Sequence, residues 1–270
     1  MICRISLGVL LHQLKLVIDF MDKDDFLLKR IRELANLSYQ RDIVTFTDFL
    51  NLNEQNMLAP LKLQQMGVNV RLFGGYEHAE RQMAAFFPPS LSFDWEYPID
   101  CLKLSPKALR FSEDLGHRDY LGAVLNLGVD RSVVGDILLK DKEAWLFCQH
   151  KMSDFFIENL TRVRHTMVLV TRVDQAGDIP GPEFEEISGT CASVRLDSLI
   201  GLAFQTSRSS MVSSIEGGLV FVNGKLVTSN GYEPKEGDII SVRHKGRFIF
   251  DGITRQTKKG RLGVRIRKYI

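Results

Sequence analysis

Cysteine is scarce in this chain of 270 residues: there are four, at positions 3, 101, 148 and 191, with no close pair and no Cys-x-x-Cys. That spacing supports neither a disulfide framework nor a zinc knuckle, and it fits reduced thiols in the cytoplasm. The six histidines are scattered and form no ligand pattern, so no metal is expected. Long apolar runs are missing too. The most apolar stretch, residues 1–20, is interrupted by Arg4, His12, Lys15 and Asp19 and is followed by no small-x-small cleavage site. It reads as an amphipathic helix ahead of Met21, which itself has the look of a natural cytosolic start, and no membrane partner is expected. Net charge is nearly absent: 35 Lys+Arg stand against 33 Asp+Glu, a formal +2. Taken whole, that figure argues against a polyanion partner.

Signatures of catalysis are also lacking. Gly74-Gly75 could belong to a phosphate cradle, but the other glycines and the Lys of a nucleotide loop are missing, so the pair reads as a turn. His117-Arg118-Asp119 resembles the start of a kinase catalytic loop, yet Val124 stands where that pattern needs Asn, and there is no Asp-Phe-Gly. No acid–base or nucleophilic constellation stands out. The expectation is therefore a protein that is not an enzyme, with no catalytic residue and no cofactor.

What the chain does have is a charge asymmetry. Residues 195–270 carry 14 basic and 6 acidic residues, a local net of +8, and the first 194 carry 21 basic and 27 acidic, a net of −6. An acidic body bearing a basic segment is the pattern of a nucleic-acid-binding module. Between the two parts, residues 174–194 (DQAGDIPGPEFEEISGTCASV) hold five acidic residues, three Gly, two Pro and no Lys or Arg, and read as an acidic linker over 175–194.

The hydrophobic pattern predicts an α+β protein. Residues 1–97 read as a mainly helical αβ domain, with Phe26, Leu27, Ile31, Leu34 and Leu37 at helical spacing, a strand at 68–73 and a helix at 77–87. Residues 98–174 alternate strand and helix signals in the order βαββαβ, which makes a ferredoxin-like fold of the RNA-recognition type. Its third strand offers Trp145 and Phe147 without the glycine- and aromatic-rich signature of a base-stacking platform, so both are assigned to the core. His117 and Arg118 open a helix that Asp119 is placed to cap, and they form a secondary candidate contact.

Residues 195–270 carry the main candidate site. One helix is expected over 195–204. Ser207 is suited to cap a second over 208–216, closed by Gly217-Gly218. Asn223-Gly224 between apolar flanks is a strong hairpin signal, and a strand at 239–243 leads into His244-Lys245-Gly246-Arg247, a basic turn that an RNA backbone could approach at the glycine. Arg208 opposes the helix dipole, which suggests a role in phosphate binding together with Arg195 and the free N–H groups of the helix start. The RNA-binding candidates are Arg195, Ser207, Arg208, Ser209, Lys225, Arg243, His244, Lys245 and Arg247. Lys258, Lys259, Arg261, Arg265, Arg267 and Lys268 follow as a basic tail.

The run RLD, then SR at 207–208, IxxG at 215–218, VxVNG at 220–224 and GDxIxVR at 237–243 resembles the S-four domain, an αα-β RNA-binding fold. With FGGYEHAER at 73–81, HRDYLGAVLNLG at 117–128 and GDI at 135–137, the chain resembles the YlmH-like proteins of Gram-positive bacteria. That resemblance implies an N-terminal αβ domain, an RNA-recognition-like middle domain and a C-terminal S-four domain. It also implies a role on the large ribosomal subunit carrying peptidyl-tRNA, in the pathway that tails stalled nascent chains, with a gene found among cell-division genes. The expected partners are ribosomal RNA, tRNA or both, bound by a cytoplasmic protein that is a monomer when free. A pseudouridine-synthase type of RNA-modifying enzyme and a division-associated interaction factor are the alternatives. The first is disfavoured because such enzymes usually carry the S-four domain first, and here it comes last.

Overall fold

The computed structural model describes residues 7–77, 79–91, 94–173, 179–181, 183–257 and 260–270, with side chains from residue 24 onward and without that of Arg208. The chain divides into two compact units, residues 1–179 and 180–270.

The first unit begins with α1 (Leu7–Arg41), followed by β1 (Thr45–Phe46), α2 (Leu52–Asn56), β2 (Asn69–Phe73) and β3 (Met83–Phe87), which pair in the order β1-β3-β2. Ile31, Leu34 and Ala35 recur along one stripe of α1 and are buried against Leu50, Leu63, Ala84 and Phe86. The helix expected at 77–87 is not there. Residues 83–87 form the central strand instead, because Met83, Ala84, Ala85 and Phe86 are all buried, and a strand covered on both faces reads as a continuous apolar run.

Next come β4 (Ile99–Pro106), α3 (His117–Leu125), β5 (Val134–Lys140), β6 (Glu143–Gln149), α4 (Ser153–Asn159), β7 (Arg162–Val163) and β8 (Thr166–Arg172). The sheet order β5-β6-β4-β8-β7, antiparallel throughout, is the ferredoxin-like arrangement expected, with one added short strand. Leu102, Leu104, Leu146 and Val170 face the helices and meet Tyr120, Val124 and Phe156. Trp145 and Phe147 point to the opposite face, where they are buried with Phe49 and Met83 of the N-terminal part. The face on which RNA-recognition modules stack bases is therefore closed at this point by protein.

The closure is welded by polar groups. Asp136 accepts hydrogen bonds from the Tyr76 hydroxyl (2.9 Å), the Glu80 N–H (2.7 Å) and the Arg81 N–H (3.2 Å), while Arg81 donates to the carbonyls of Phe49 and Val134. Burial pushes the Asp136 carboxyl up, against the pull of these donors and of Arg131 and Arg81. Burial, with Arg81 alongside, pushes Arg131 down to about 10. Gly74-Gly75 is a turn, as expected, and its glycines are needed. Gly75 has φ +100, and a Cβ there would lie 2.4 Å from the Phe147 ring, while one on Gly74 would lie 2.3 Å from the Arg81 carbonyl oxygen.

The second unit contains β9 (Phe184–Cys191), α5 (Leu196–Ala203), α6 (Arg208–Glu216), β10 (Val220–Val222), β11 (Lys225–Leu226), β12 (Ile239–Val242), β13 (Gly246–Gln256) and β14 (Leu262–Tyr269). They form one sheet of six strands in the order β11-β10-β12-β13-β14-β9. Two expectations are corrected. Residues 184–191, read as linker, are a strand paired along its whole length with β14. Arg265, Arg267 and Lys268, read as tail, stand on β14, where Arg267 and Lys268 hold Asp251 and Glu185. Composition misled because only Ile187 and Cys191 supply apolar side chains to the buried side of a strand whose other face carries Phe184, Glu186, Ser188 and Thr190. The expected linker residues 174–178 and the basic pair Lys258 and Lys259 lie outside the described residues.

Candidate nucleic-acid interface

Helices α5 and α6 cover one face of the six-stranded sheet because Leu196, Leu199, Ile200, Ala203, Met211 and Ile215 fall on their inner stripes and meet Val220, Ile240, Phe248 and Ile266. Ser207 caps α6 as expected, its Oγ accepting the Ser210 N–H at 3.3 Å, with Ser209 Oγ 3.2 Å away. Asn223-Gly224 forms the expected tight hairpin turn, with φ +47 and +75.

The basic turn lies beside the end of α5. His244 and Gly246 adopt φ +67 and +120, and Gly246 sits so close to Phe204, at the end of α5, that an added Cβ would be 3.6 Å from its ring. Phe204 precedes Ser207 by three residues. The turn that carries His244 and Lys245 is therefore tied through Gly246 to the end of α5, Ser207 and Ser209 stand at the start of α6, and Arg208 begins that helix although its side chain is outside what is described. Helix N–H groups beside cations make a site for phosphate oxygens.

Arg195 does not join them. It stands at the other end of α5, where it meets Asp197 at 3.3 Å and donates to the Asn230 carbonyl at 3.3 Å, and Asn230 in turn donates to Glu216 at the far end of α6. Eight helical residues, roughly 12 Å of rise, separate it from the phosphate site proposed for it. Lys225 follows the hairpin turn and is exposed. Arg243 and Arg247 take a third position, on the sheet face away from the helices, with their guanidinium groups 5.3 Å over Phe221 and 4.1 Å over Tyr269. Neither ring was among the sequence candidates. The signal was the period-two alternation of VFV and VRIRKY, which puts ring and arginine on one face.

In the middle domain His117 and Arg118 open α3, and Asp119 reaches back to accept the Gly116 N–H at 2.9 Å, the capping role expected. Partial desolvation and the Arg131 guanidinium hold His117 below its ordinary range, against the pull of Asp136. Among the described residues no cluster of His, Cys, Asp or Glu is arranged to hold a metal ion, and no helix is long and apolar enough to cross a membrane.

Two stretches of the chain match known families. Residues 96–176 match a family model described as the "RNA-binding domain in YlmH", and residues 194–240 match the S4 domain, the S-four fold. Ribosome-associated protein quality control protein P2 of Bacillus subtilis is 31% identical over 222 residues, covering 81% of this chain and 84% of that protein. The chain belongs to the YlmH family. A solved structure, cell division protein ylmH from Streptococcus pneumoniae, aligns over 67% of this YlmH-family chain and 99% of its own, with 19% identity and a TM-score of 0.46. Of the six strands in the C-terminal sheet, β9, β13 and β14 lie beyond the S-four match.

Proposed function

We propose that this YlmH-family chain is a non-enzymatic RNA-binding protein of the cytoplasm that grips structured ribosomal RNA or tRNA on the large ribosomal subunit carrying peptidyl-tRNA, in ribosome-associated quality control. The observation that carries the reading is the S-four domain itself, in which the His244–Lys245–Gly246 turn lies beside Phe204, three residues ahead of the Ser207 cap of α6, on a chain whose middle domain also matches an RNA-binding model. Arg208 at the start of that helix, and Arg195, Lys225, Arg243 and Arg247 elsewhere on the same domain, are the further RNA contacts of this reading. The Bacillus subtilis relative is named for quality control at the ribosome, which supports the same setting.

Contacts of this kind fix a protein on RNA through shape and phosphate position. The test is co-sedimentation of the purified chain with large subunits, prepared either vacant or carrying peptidyl-tRNA. The reading expects retention on both and tighter retention on the loaded subunits. Failure to sediment with either would overturn it.

A further inference from the structure

The outer face of the C-terminal sheet, away from α5 and α6, carries a row of rings and arginines that the phosphate site does not use. Phe221 on β10 pairs with Ser241 on β12, and Ser241 pairs with Arg247 on β13. One step beyond the Phe248–Lys268 pair, Arg247 lies over Tyr269 of β14, which pairs with Phe184 of β9. The row crosses five strands, a span of roughly 19 Å at the usual interstrand spacing. Three guanidinium groups lie on its rings: Arg243 over Phe221 at 5.3 Å, Arg247 over Tyr269 at 4.1 Å and Arg267 over Phe184 at 5.1 Å. Phe184 and Tyr269 also pack on each other, with centroids 4.8 Å apart.

We propose that this row is a stacking surface for the unpaired bases of a single-stranded RNA segment, separate from the phosphate site at the α6 start. The inference rests on the RNA-binding reading above and adds a second mode of contact to it. Arg243 and Arg247 stand over their rings on the face that the helices do not cover, and bases stack on guanidinium planes as they do on aromatic rings. The charge around the row selects bases over backbone. Asp251 holds Arg267 through contacts of 3.0 and 2.9 Å, and Glu186 pairs with Arg267 on the neighbouring strand. These carboxylates neutralise the arginine at that edge of the row, which therefore offers a phosphate no net charge, while an uncharged base face is indifferent to them. The row itself, Phe221, Ser241, Arg243, Arg247, Tyr269 and Phe184, contains no acidic residue. Two of its three rings, Phe184 and Tyr269, stand on β9 and β14, beyond the S-four match.

The test measures binding of the full chain, by fluorescence anisotropy, to a base-paired RNA hairpin and to the same hairpin extended by an unpaired oligoadenylate tail. The tail is expected to tighten binding about fivefold or more per stacked base, and to do so at high salt as well as low, because stacking releases no counterions. In the variant carrying Phe184→Leu and Tyr269→Leu the gain should vanish while hairpin affinity holds. Arg247→Lys, which keeps the charge but loses the plane, should lose part of the gain and preserves a test if the double variant unfolds. Hairpin binding with no gain from the tail, or a full gain retained by folded variants, overturns this inference alone, whereas binding to neither probe overturns the RNA-binding reading and this one together. A concentration-dependent rise in mass that the leucine variants abolish would mean that a second copy covers the face, and would also overturn it.

Discussion

Tyr76 donates its phenolic proton to Asp136 at 2.9 Å, joining the FGGYEHAER segment to the GDI segment across 60 residues of sequence. The two segments that mark the family in sequence thus meet as one polar weld, with Arg81 and Arg131 beside the same carboxylate. Their job is to fix the N-terminal sheet on the middle one.

Removing one donor should cost less than removing the acceptor. Tyr76→Phe is expected to lower stability by about 1–2 kcal/mol, the worth of a hydrogen bond to a carboxylate. Asp136→Ala should cost about 3–5 kcal/mol, because it removes the counter-charge of Arg81 and Arg131 and leaves the Glu80 and Arg81 N–H groups without their acceptor. Urea unfolding followed by the fluorescence of Trp145, buried in the same shared core, measures both. Equal losses would contradict the weld.

Asp100 supplies a pH test. Burial works to raise its pKa, but the Ser153 hydroxyl at 2.5 Å, His150 at 2.9 Å and Arg172 at 2.9 Å outweigh it and hold the carboxyl below its ordinary value of 3.8. A depressed pKa means that the unfolded chain binds the proton more tightly, so the stabilisation is full above pH 3.8 and is lost as pH falls through the folded value. The stability difference between wild type and Asp100→Asn should accordingly shrink as pH falls below about 4. Chemical unfolding at several pH values measures it, and a difference that grows below about pH 4 would have the wrong sign.

The proposed phosphate site makes a prediction about salt. If Arg208 and Lys245 each meet one phosphate, then Arg208→Ala and Lys245→Ala should each flatten the log–log dependence of RNA affinity on salt by about 0.7–0.9. They should leave thermal unfolding unchanged, since Lys245 is exposed. Slopes identical to wild type would take those side chains out of the interface.

Much of this arrangement was legible from period and punctuation. Ser207 as a cap, the Asn223-Gly224 turn and the βαββαβ order of the middle domain each rest on local rules that the structure obeys. What escaped was set by distant partners. Residues 83–87 are a strand because sheet neighbours cover them on both sides, and Arg195 is tied to Asp197 and Asn230, so it points away from the α6 start. Phe184 and Tyr269 carry no local sign of pairing, since only the register of β9 on β14 brings them together.

That register gives the last prediction. A fragment beginning at Arg195, where composition places the boundary, would lack β9, leaving β14 as an open edge and uncovering the side of the core that Ile187 and Cys191 close. Gly189 also faces Leu202 of α5 so closely that a Cβ would sit 2.5 Å from its Cδ1, so strand and helix are in direct contact. Losing the apolar burial of two such side chains costs roughly 3 kcal/mol, a large share of what a unit this small has to hold it folded. A fragment of residues 180–270 should therefore unfold cooperatively and stay monomeric, whereas 195–270 should melt lower and self-associate through the exposed β14 edge. Equal melting temperatures for the two fragments would return residues 184–191 to the role of a linker.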